Sequence, residues 1–311
     1  MSLDHQPVML KEVLNHLQIA DNEIYVDGTF GAGGYSSAIL AKKNCRLVSL
    51  DRDKSVVKYV KKLEAQFGSR FIFKNVKFSQ MQEALNQEGI NQVDGIVLDI
   101  GVSSMQLDDK ARGFSFDSEE KLDMRMDNTQ DLSAFEVVNF EDEKKLAQII
   151  YEFGDEDKAR KIAHKIVNFR QKEQLIYCSQ LAQIVRSFYF GYHKIDPATK
   201  TFQALRIYVN KELEELKLVL EASKQLLKKG GRLIVVSFHA LEDRIVKNFL
   251  KANSAQKFSH SRYEPIIDEA AIKNYVDGFA ILTKSALSPS AEEIKLNPRS
   301  RSAKMRVAIK L

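Results

Sequence analysis

The chain alternates between two hydrophobic periods. Strand-length apolar runs occupy residues 24–27, 47–50, 71–73 and 96–98, and three of them end on or beside an acid, at Asp27, Asp51 and Asp99. After the second run, Val56, Val60, Leu63 and Phe67 mark one face of a helix. Strands alternating with helices predict a parallel sheet assembled from βαβ units. The alternation stops after Asp99. Residues 110–200 carry helical stripes instead: Leu146, Ile149, Ile150 and Phe153, then Ile162, Ile166 and Phe169, then Leu181, Ile184, Val185 and Phe188. The α/β rhythm resumes with Leu205, Val209, Leu213, Leu216, Leu220 and Leu227, which predict one long amphipathic helix stopped by Gly230-Gly231. A fifth strand follows over 233–238, then a helix through Leu241, Ile245 and Phe249, and a sixth strand over 279–282. Met305, Val307, Ile309 and Leu311 alternate with Lys304, Arg306 and Lys310, the pattern of a half-buried terminal strand. The predicted fold is α/β, with seven strands in a mostly parallel sheet. It is built from residues 1–109 and 201–311 and interrupted after the fourth strand by a helical insertion over 110–200.

Composition narrows the class. With 311 residues, 44% of them hydrophobic and 29% charged, the chain suits one large soluble domain carrying an insertion. No apolar run approaches the ~18 residues of a membrane span. The first residues, M-S-L-D-H-Q-P, lack the pattern of a signal or transit peptide. Cys45 and Cys178 are too few for a disulfide framework or a closed zinc site, so a reducing cytoplasm and no metal are expected. The net charge of +5 is unevenly spread: residues 110–157 hold six basic and fourteen acidic side chains, and 158–200 hold nine and two. Residues 201–311 hold twenty basic and twelve acidic side chains. A polyanion would meet the 158–200 stretch and the C-terminal third.

The sharpest local feature is Asp27-Gly28-Thr29-Phe30-Gly31-Ala32-Gly33-Gly34, between a predicted strand and a predicted helix over 36–42. Four glycines exceed what a tight turn needs and favour a loop that a ligand approaches. A P-loop would place Lys-Ser/Thr after the last glycine, where Tyr35-Ser36 stand. The dinucleotide pattern fails at Ser36, and no basic residue in the loop meets a pyrophosphate. The acid Asp27 suits a cationic ligand, such as the amino acid end of S-adenosylmethionine. Asp51, at the end of the second strand, has the spacing of a carboxylate that accepts ribose hydroxyls. Helix capping is the competing role for Asp51 and its neighbour Asp53.

These residues belong to a longer set of strings. H-Q-P-V-M-L-K-E-V stands at 5–13, Y-V-D-G-T-F-G-A-G-G-Y at 25–35 and D-R-D at 51–53. D-G-I-V-L-D-I-G-V-S-S-M-Q-L-D follows at 94–108, R-G-F-S-F at 112–116 and L-D-M-R-M-D at 122–127. T-F-Q-A-L-R-I-Y-V-N-K-E-L occupies 201–213, G-G-R-L-I-V-V-S-F-H-A-L-E-D-R 230–244 and N-P-R-S-R-S-A-K-M-R 297–306. In this order, nearly end to end, they resemble the RsmH/MraW family of class I, Rossmann-like methyltransferases. That family modifies N4 of a cytidine in the decoding region of bacterial 16S rRNA. The resemblance implies S-adenosyl-L-methionine as cofactor, held against Gly33, Gly34 and Tyr35 with Asp51, Phe78, Asp99 and Gln106. It also implies 16S rRNA as partner, within the assembled small ribosomal subunit, and the 110–200 insertion as the RNA-recognition segment. Two positions depart from the family: Tyr35 stands where histidine is usual, and Ala240 where serine is usual.

Methyl transfer from a sulfonium is a direct displacement, so positioning of the acceptor dominates. Cytosine N4 is a weak nucleophile and must lose a proton, which calls for a nearby acceptor. The usual Asp/Asn-Pro-Pro-aromatic motif of amino-methyltransferases is absent; Asp99-Ile100-Gly101-Val102 stands there, making Asp99 the candidate catalytic residue. Ser237, His239 and Arg244 near the fifth strand, with Arg299 and Arg301, are candidates on the substrate side. His239 and Asp243 have the spacing to share one helix face. Asp123, Arg125 and Asp127 fit either an ion-paired loop or an RNA contact. Two other functions fit the same sheet: a nicotinamide-dependent oxidoreductase, and a non-catalytic rRNA-binding assembly factor.

Overall fold

The computed structural model describes residues 7–254 and 278–311. His5 and Gln6 of the first string lie outside that range. In chain order the elements are α1 (Leu10–Leu17), β1 (Ile24–Asp27), α2 (Gly34–Lys42), β2 (Arg46–Leu50), α3 (Val57–Phe67), β3 (Phe71–Lys74), α4 (Met81–Gln87) and β4 (Val93–Asp99). Then come α5 (Ser104–Asp108), α6 (Ala134–Phe140), α7 (Glu143–Gly154), α8 (Ala159–Arg170), α9 (Cys178–Arg186) and α10 (Ala198–Asn210). The chain closes with α11 (Glu212–Leu226), β5 (Leu227–Ser237), α12 (Ala240–Ala252), β6 (Phe279–Ile281), α13 (Ala291–Leu296) and β7 (Lys304–Lys310). No described helix is long and apolar enough to cross a membrane.

The chain divides into two compact units, one of residues 1–101 with 214–311 and the other of residues 102–213. The first unit holds all seven strands in the order β3-β2-β1-β4-β5-β7-β6. The first five pair in parallel; β7 runs antiparallel to both β5 and β6. Central parallel strands are covered on both faces, which is why they read as continuous apolar runs. Val26, Val48, Ile96, Leu98, Leu233 and Val235 are buried in this core. The second unit has its own core, and every stripe read from 110–200 contributes: Leu146, Ile149, Ile150, Ile162, Ile166, Leu181, Ile184 and Val185 are buried there. Phe153, Phe169 and Phe188 pack against it.

Three expectations change. The stripe from Leu205 to Leu227 is two helices, because Lys211 adopts φ 51° and breaks the run. Leu205 and Val209 serve the second unit's core, whereas Leu216 and Leu220 serve the first. One unbroken periodicity therefore feeds two cores. Gly230-Gly231 do not stop a helix; they lie inside β5, in a bulge where Val93 faces Leu227 but Gly95 already faces Arg232. Lys228 anchors that bulge by donating to both carboxylate oxygens of Asp94 at 2.8 Å. Finally, β7 is an interior strand between β5 and β6, so Ala308 and Lys310 are buried along with Met305 and Val307. The Lys310 ammonium lies 5.8 Å from the centre of the Phe279 ring.

Candidate active site

All parallel strands deliver their C-terminal ends to one edge of the sheet. Asp27 closes β1 level with Ser49 of β2 and Val97 of β4, so Asp51 and Asp99 follow two residues further along their strands. The strand order reverses direction between β1 and β4, where open α/β sheets form a ligand crevice. No basic side chain counters the charge of these three carboxylates among the described residues. Burial raises the pKa of Asp27. It pushes Asp51 up to about 6, against the opposing pull of the Asp53 and Gly31 N–H groups. Burial drives Asp99 well above the usual carboxylate range, and the neighbouring charges of Asp27 and Glu242 push it the same way.

The three acids have different duties. Asp27 is fully buried and satisfied from within: Ser36 Oγ donates to it at 2.6 Å and the Thr29 N–H at 3.1 Å. It shapes the loop and does not present the open carboxylate expected for a cationic ligand. Asp51 receives the Gly31 N–H at 2.8 Å on one oxygen and the Asp53 N–H at 2.9 Å on the other. Each oxygen retains a second lone pair. The capping role belongs to Asp53, which accepts the Ser55 N–H at 2.9 Å. Asp99 donates its N–H to Thr29 Oγ1 at 2.7 Å, and its Oδ1 is buried with no hydrogen-bond partner in the described structure. A buried oxygen left open in this way can take a donor from a ligand.

Around the loop, Gly33 caps α2 in the left-handed region at φ 77°. A Cβ on Gly34 would stand 2.2 Å from the Pro7 ring, so Gly34 answers to packing as well as to any ligand. The Tyr35 side chain is buried and donates its hydroxyl to the Val8 carbonyl, leaving only its backbone for the cofactor. Phe78 is half-buried against the first unit's core.

At the end of β5 the substrate-side candidates part company. Ser237 is buried and donates to the Lys304 carbonyl at 3.3 Å, a tie between β5 and β7 and not an open group. His239 precedes α12, and its partner is Glu242 and not Asp243. Glu242 Oε2 accepts the Phe238 N–H at 2.8 Å and the His239 N–H at 3.2 Å, and the His239 Nε2 lies 2.9 Å from Glu242 Oε1. Asp243 turns to β7, where Arg306 pairs with it at 2.7 Å and Lys304 at 3.5 Å. Arg306 and Lys304 hold that carboxyl below its usual range, against burial. Arg244 is exposed on α12, and Arg299 and Arg301 are exposed on the turn before β7. The sequence reading missed Thr29 and Glu242, which position Asp99 and the β5 end. An H-x-x-E string over 239–242 carried the signal for Glu242, since an acid three residues after a cap position is a capping box.

In the second unit, Gln106 is committed to capping α5: its Oε1 accepts the Ser103 N–H at 3.0 Å while Ser103 Oγ accepts the Gln106 N–H at 3.2 Å. Arg125 grips Asp123 through two hydrogen bonds of 2.8 and 2.7 Å and reaches the Gln130 carbonyl at 2.7 Å. Asp127 caps Thr129. That knot orders its own loop. Cys45 and Cys178 are buried free thiols.

The sequence matches the model of the MraW methylase family over residues 2–311. The chain belongs to the MraW methylase family. The Ribosomal RNA small subunit methyltransferase H of Rickettsia felis is 50% identical over 100% of both chains. The protein of the same name from Rickettsia prowazekii is also 50% identical, again over 100% of each chain. Among solved structures, an rRNA methylase from Streptococcus thermophilus aligns over 97% of this chain and 93% of its own, with 8% identity and a TM-score of 0.43. Membership in the MraW family removes the nicotinamide-dependent oxidoreductase from the alternatives and makes S-adenosylmethionine the methyl donor.

The crevice of this MraW methylase fits that donor. Acids without a basic counter-charge disfavour a pyrophosphate, and a bound cation would favour the ionised form of Asp51 and Asp99. Asp51, with a free lone pair on each oxygen, would hold the ribose hydroxyls; the backbone of Gly33, Gly34 and Tyr35 would border the ligand. A titration near 6 then gives a measurable sign. Below about pH 6 Asp51 is protonated and loses acceptor capacity, so affinity for S-adenosylhomocysteine should fall by up to about tenfold per pH unit. In the ligand-free protein the native state keeps this proton longer than the unfolded chain. The group therefore stabilises the fold less as pH rises from about 4 to 6, and the ligand-induced rise in melting temperature should grow over that interval. Calorimetry of Asp51→Ala should show binding weakened by about 1–3 kcal/mol and the pH dependence removed. An unchanged profile in Asp51→Ala would take Asp51 out of the site.

Proposed function

We propose that this enzyme transfers a methyl group from S-adenosylmethionine to N4 of a cytidine in the decoding region of 16S rRNA. It acts in the cytoplasm, on the assembled small ribosomal subunit. The observation that carries the chemistry is the open Asp99 Oδ1, buried at the end of β4 beside the switch in strand order. S-adenosylmethionine, when bound, supplies an electrophilic methyl on sulfur. Asp99 accepts an N–H of the cytosine amine, which localises the nitrogen lone pair, and takes up the proton released on transfer. Thr29 fixes the Asp99 backbone from one side. Glu242, holding the Phe238 and His239 N–H groups, fixes the neighbouring strand end from the other. His239 and Arg244 stand on the substrate side of this arrangement. Phe78 completes the cofactor's surroundings in the first unit. Gln106, given the same role by the family resemblance, is engaged in capping α5, and residues 102–213 supply the RNA-facing surface. The names of the 50%-identical relatives support the small-subunit rRNA as substrate.

The test is nucleoside mass spectrometry of small-subunit rRNA after incubation of unmethylated particles with the protein and S-adenosylmethionine. N4-methylcytidine at one position is the expected product. Methyl appearing on another base, or on C5 of cytosine, would refute the assignment to the amine.

A further inference from the structure

The second unit carries a surface that its fold does not use. α8 buries Ala159, Ile162, Ala163 and Ile166 and turns Arg160, Lys161, His164, Lys165 and Asn168 outward. These five residues and Phe188 line a groove of about 440 Å³. Of the nearby acids, Glu143 engages His164 at 3.2 Å, Glu156 the Tyr189 hydroxyl, and Asp117 and Asp196 engage Arg186, while Asp157 stands exposed just before α8. Arg160 and Lys161 are exposed, with no carboxylate in ion-pair range among the described residues.

The loop after α9 adds aromatic rings. Phe190 is 89% exposed and Tyr192 92%. Such rings are normally turned inward, because leaving a large apolar side chain in water forfeits about 2 kcal/mol of burial. The loop is nevertheless anchored at its base. Lys158 donates to the Phe188 carbonyl at 2.7 Å and lies 3.7 Å from the centre of the Tyr189 ring. Lys165 donates to Ser187 Oγ at 2.5 Å, and the Tyr189 and His193 rings meet edge to face at 5.6 Å. The rings of Phe190 and Tyr192 are thus displayed beside a basic helix face, in a stretch with nine basic and two acidic side chains.

We infer that this face of the second unit binds a single-stranded segment of RNA, phosphates along Arg160, Lys161 and Lys165 and bases stacked on Phe190 and Tyr192. Positive charge selects a polyanion over an ordinary protein surface. Exposed aromatic rings select unpaired bases over a duplex, whose bases are already stacked. The inference rests on the reading of rRNA as substrate and adds where, outside the methyl-transfer crevice, that RNA is held.

Two double variants test it. Each changes exposed side chains only, so S-adenosylhomocysteine affinity and melting temperature should match the unaltered protein. Phe190→Ala with Tyr192→Ala should weaken binding of both small-subunit particles and a protein-free single-stranded RNA by about tenfold or more, at unchanged salt dependence. Arg160→Ala with Lys161→Ala should reduce the slope of log affinity against log salt by about 1.4, because two phosphates of a single strand are then no longer neutralised. Unchanged affinity and slope in the two variants would overturn the inference. So would a loss confined to particles with naked RNA still bound in full, because the surface would then meet a ribosomal protein. If the unaltered protein methylates particles and both variants do so equally at sub-saturating concentration, this surface alone is refuted. If the unaltered protein transfers no methyl to particles, the functional reading falls instead, and the RNA-binding data still decide the surface.

Discussion

Asp99→Asn should lower the rate of methyl transfer by about 10²–10⁴-fold while changing S-adenosylhomocysteine affinity far less. The substitution keeps the size of the side chain and one acceptor oxygen, and it leaves the backbone N–H on Thr29 untouched. What it removes is the basic oxygen that, on the proposed reading, takes the proton from the amine. Asp99 is held well above the usual carboxylate range, first by burial and then by Asp27 and Glu242. Only its ionised form can take the proton, so the unaltered enzyme should gain activity as pH rises through that elevated pKa. The residual activity of Asp99→Asn should lack this rise. Glu242→Gln offers a separate reading of the same electrostatics. It removes one of the charges that raise Asp99, so the rising limb should move to lower pH. Equal losses of turnover and cofactor affinity in Asp99→Asn would make Asp99 a cofactor ligand alone.

The sequence told much of this in advance, for reasons that also explain where it fell short. Strands covered on both faces must be apolar throughout, so residues 24–27, 47–50, 71–73 and 96–98 announced β1 to β4, and the acids at their ends announced the crevice. Periodicity says that a face is buried, not what buries it. The stripe from Leu205 to Leu227 therefore hid the break at Lys211, with two cores served by one rhythm. Glycine spacing could not separate conformation from packing: Gly33 is required by its φ of 77°, whereas Gly34 presses on Pro7. The roles of Asp51 and Asp53 were ambiguous because both precede a helix. Only the backbone path shows the Gly31 N–H reaching Asp51 and the Ser55 N–H reaching Asp53. Polar residues at strand ends mislead in the same way. Ser237 serves the β5–β7 seam and Asp243 pairs with Arg306, interactions made across 67 and 63 positions of chain that no local pattern reveals.

Methylation should be efficient on assembled small-subunit particles and lower by on the order of a hundredfold or more on short cytidine-containing oligonucleotides. A net charge of +5, spread over the 158–200 stretch and the C-terminal third, gives weak attraction to naked RNA at physiological salt. Phosphate contacts orient a nucleic acid without choosing a sequence, so choice must come from the crevice and from the shape of the folded particle. A misplaced acceptor costs about a hundredfold in a displacement reaction, and a short oligonucleotide has nothing to place it. Arg299 and Arg301 are the basic side chains of the turn that leads into β7. Replacing both with alanine should weaken particle binding and reduce the log–log salt slope by about one for each phosphate that the variant no longer neutralises. Their turn is held in part by the buried Ser300, whose Oγ donates to the Asn297 carbonyl at 2.7 Å. The melting temperature of the double variant separates the two roles: weaker particle binding at an unchanged melting temperature is an RNA effect, and a lowered melting temperature assigns the two side chains to anchoring β7. Equal rates on oligonucleotides, protein-free 16S rRNA and assembled particles would show that the enzyme reads sequence alone, and the particle would lose its place as the substrate.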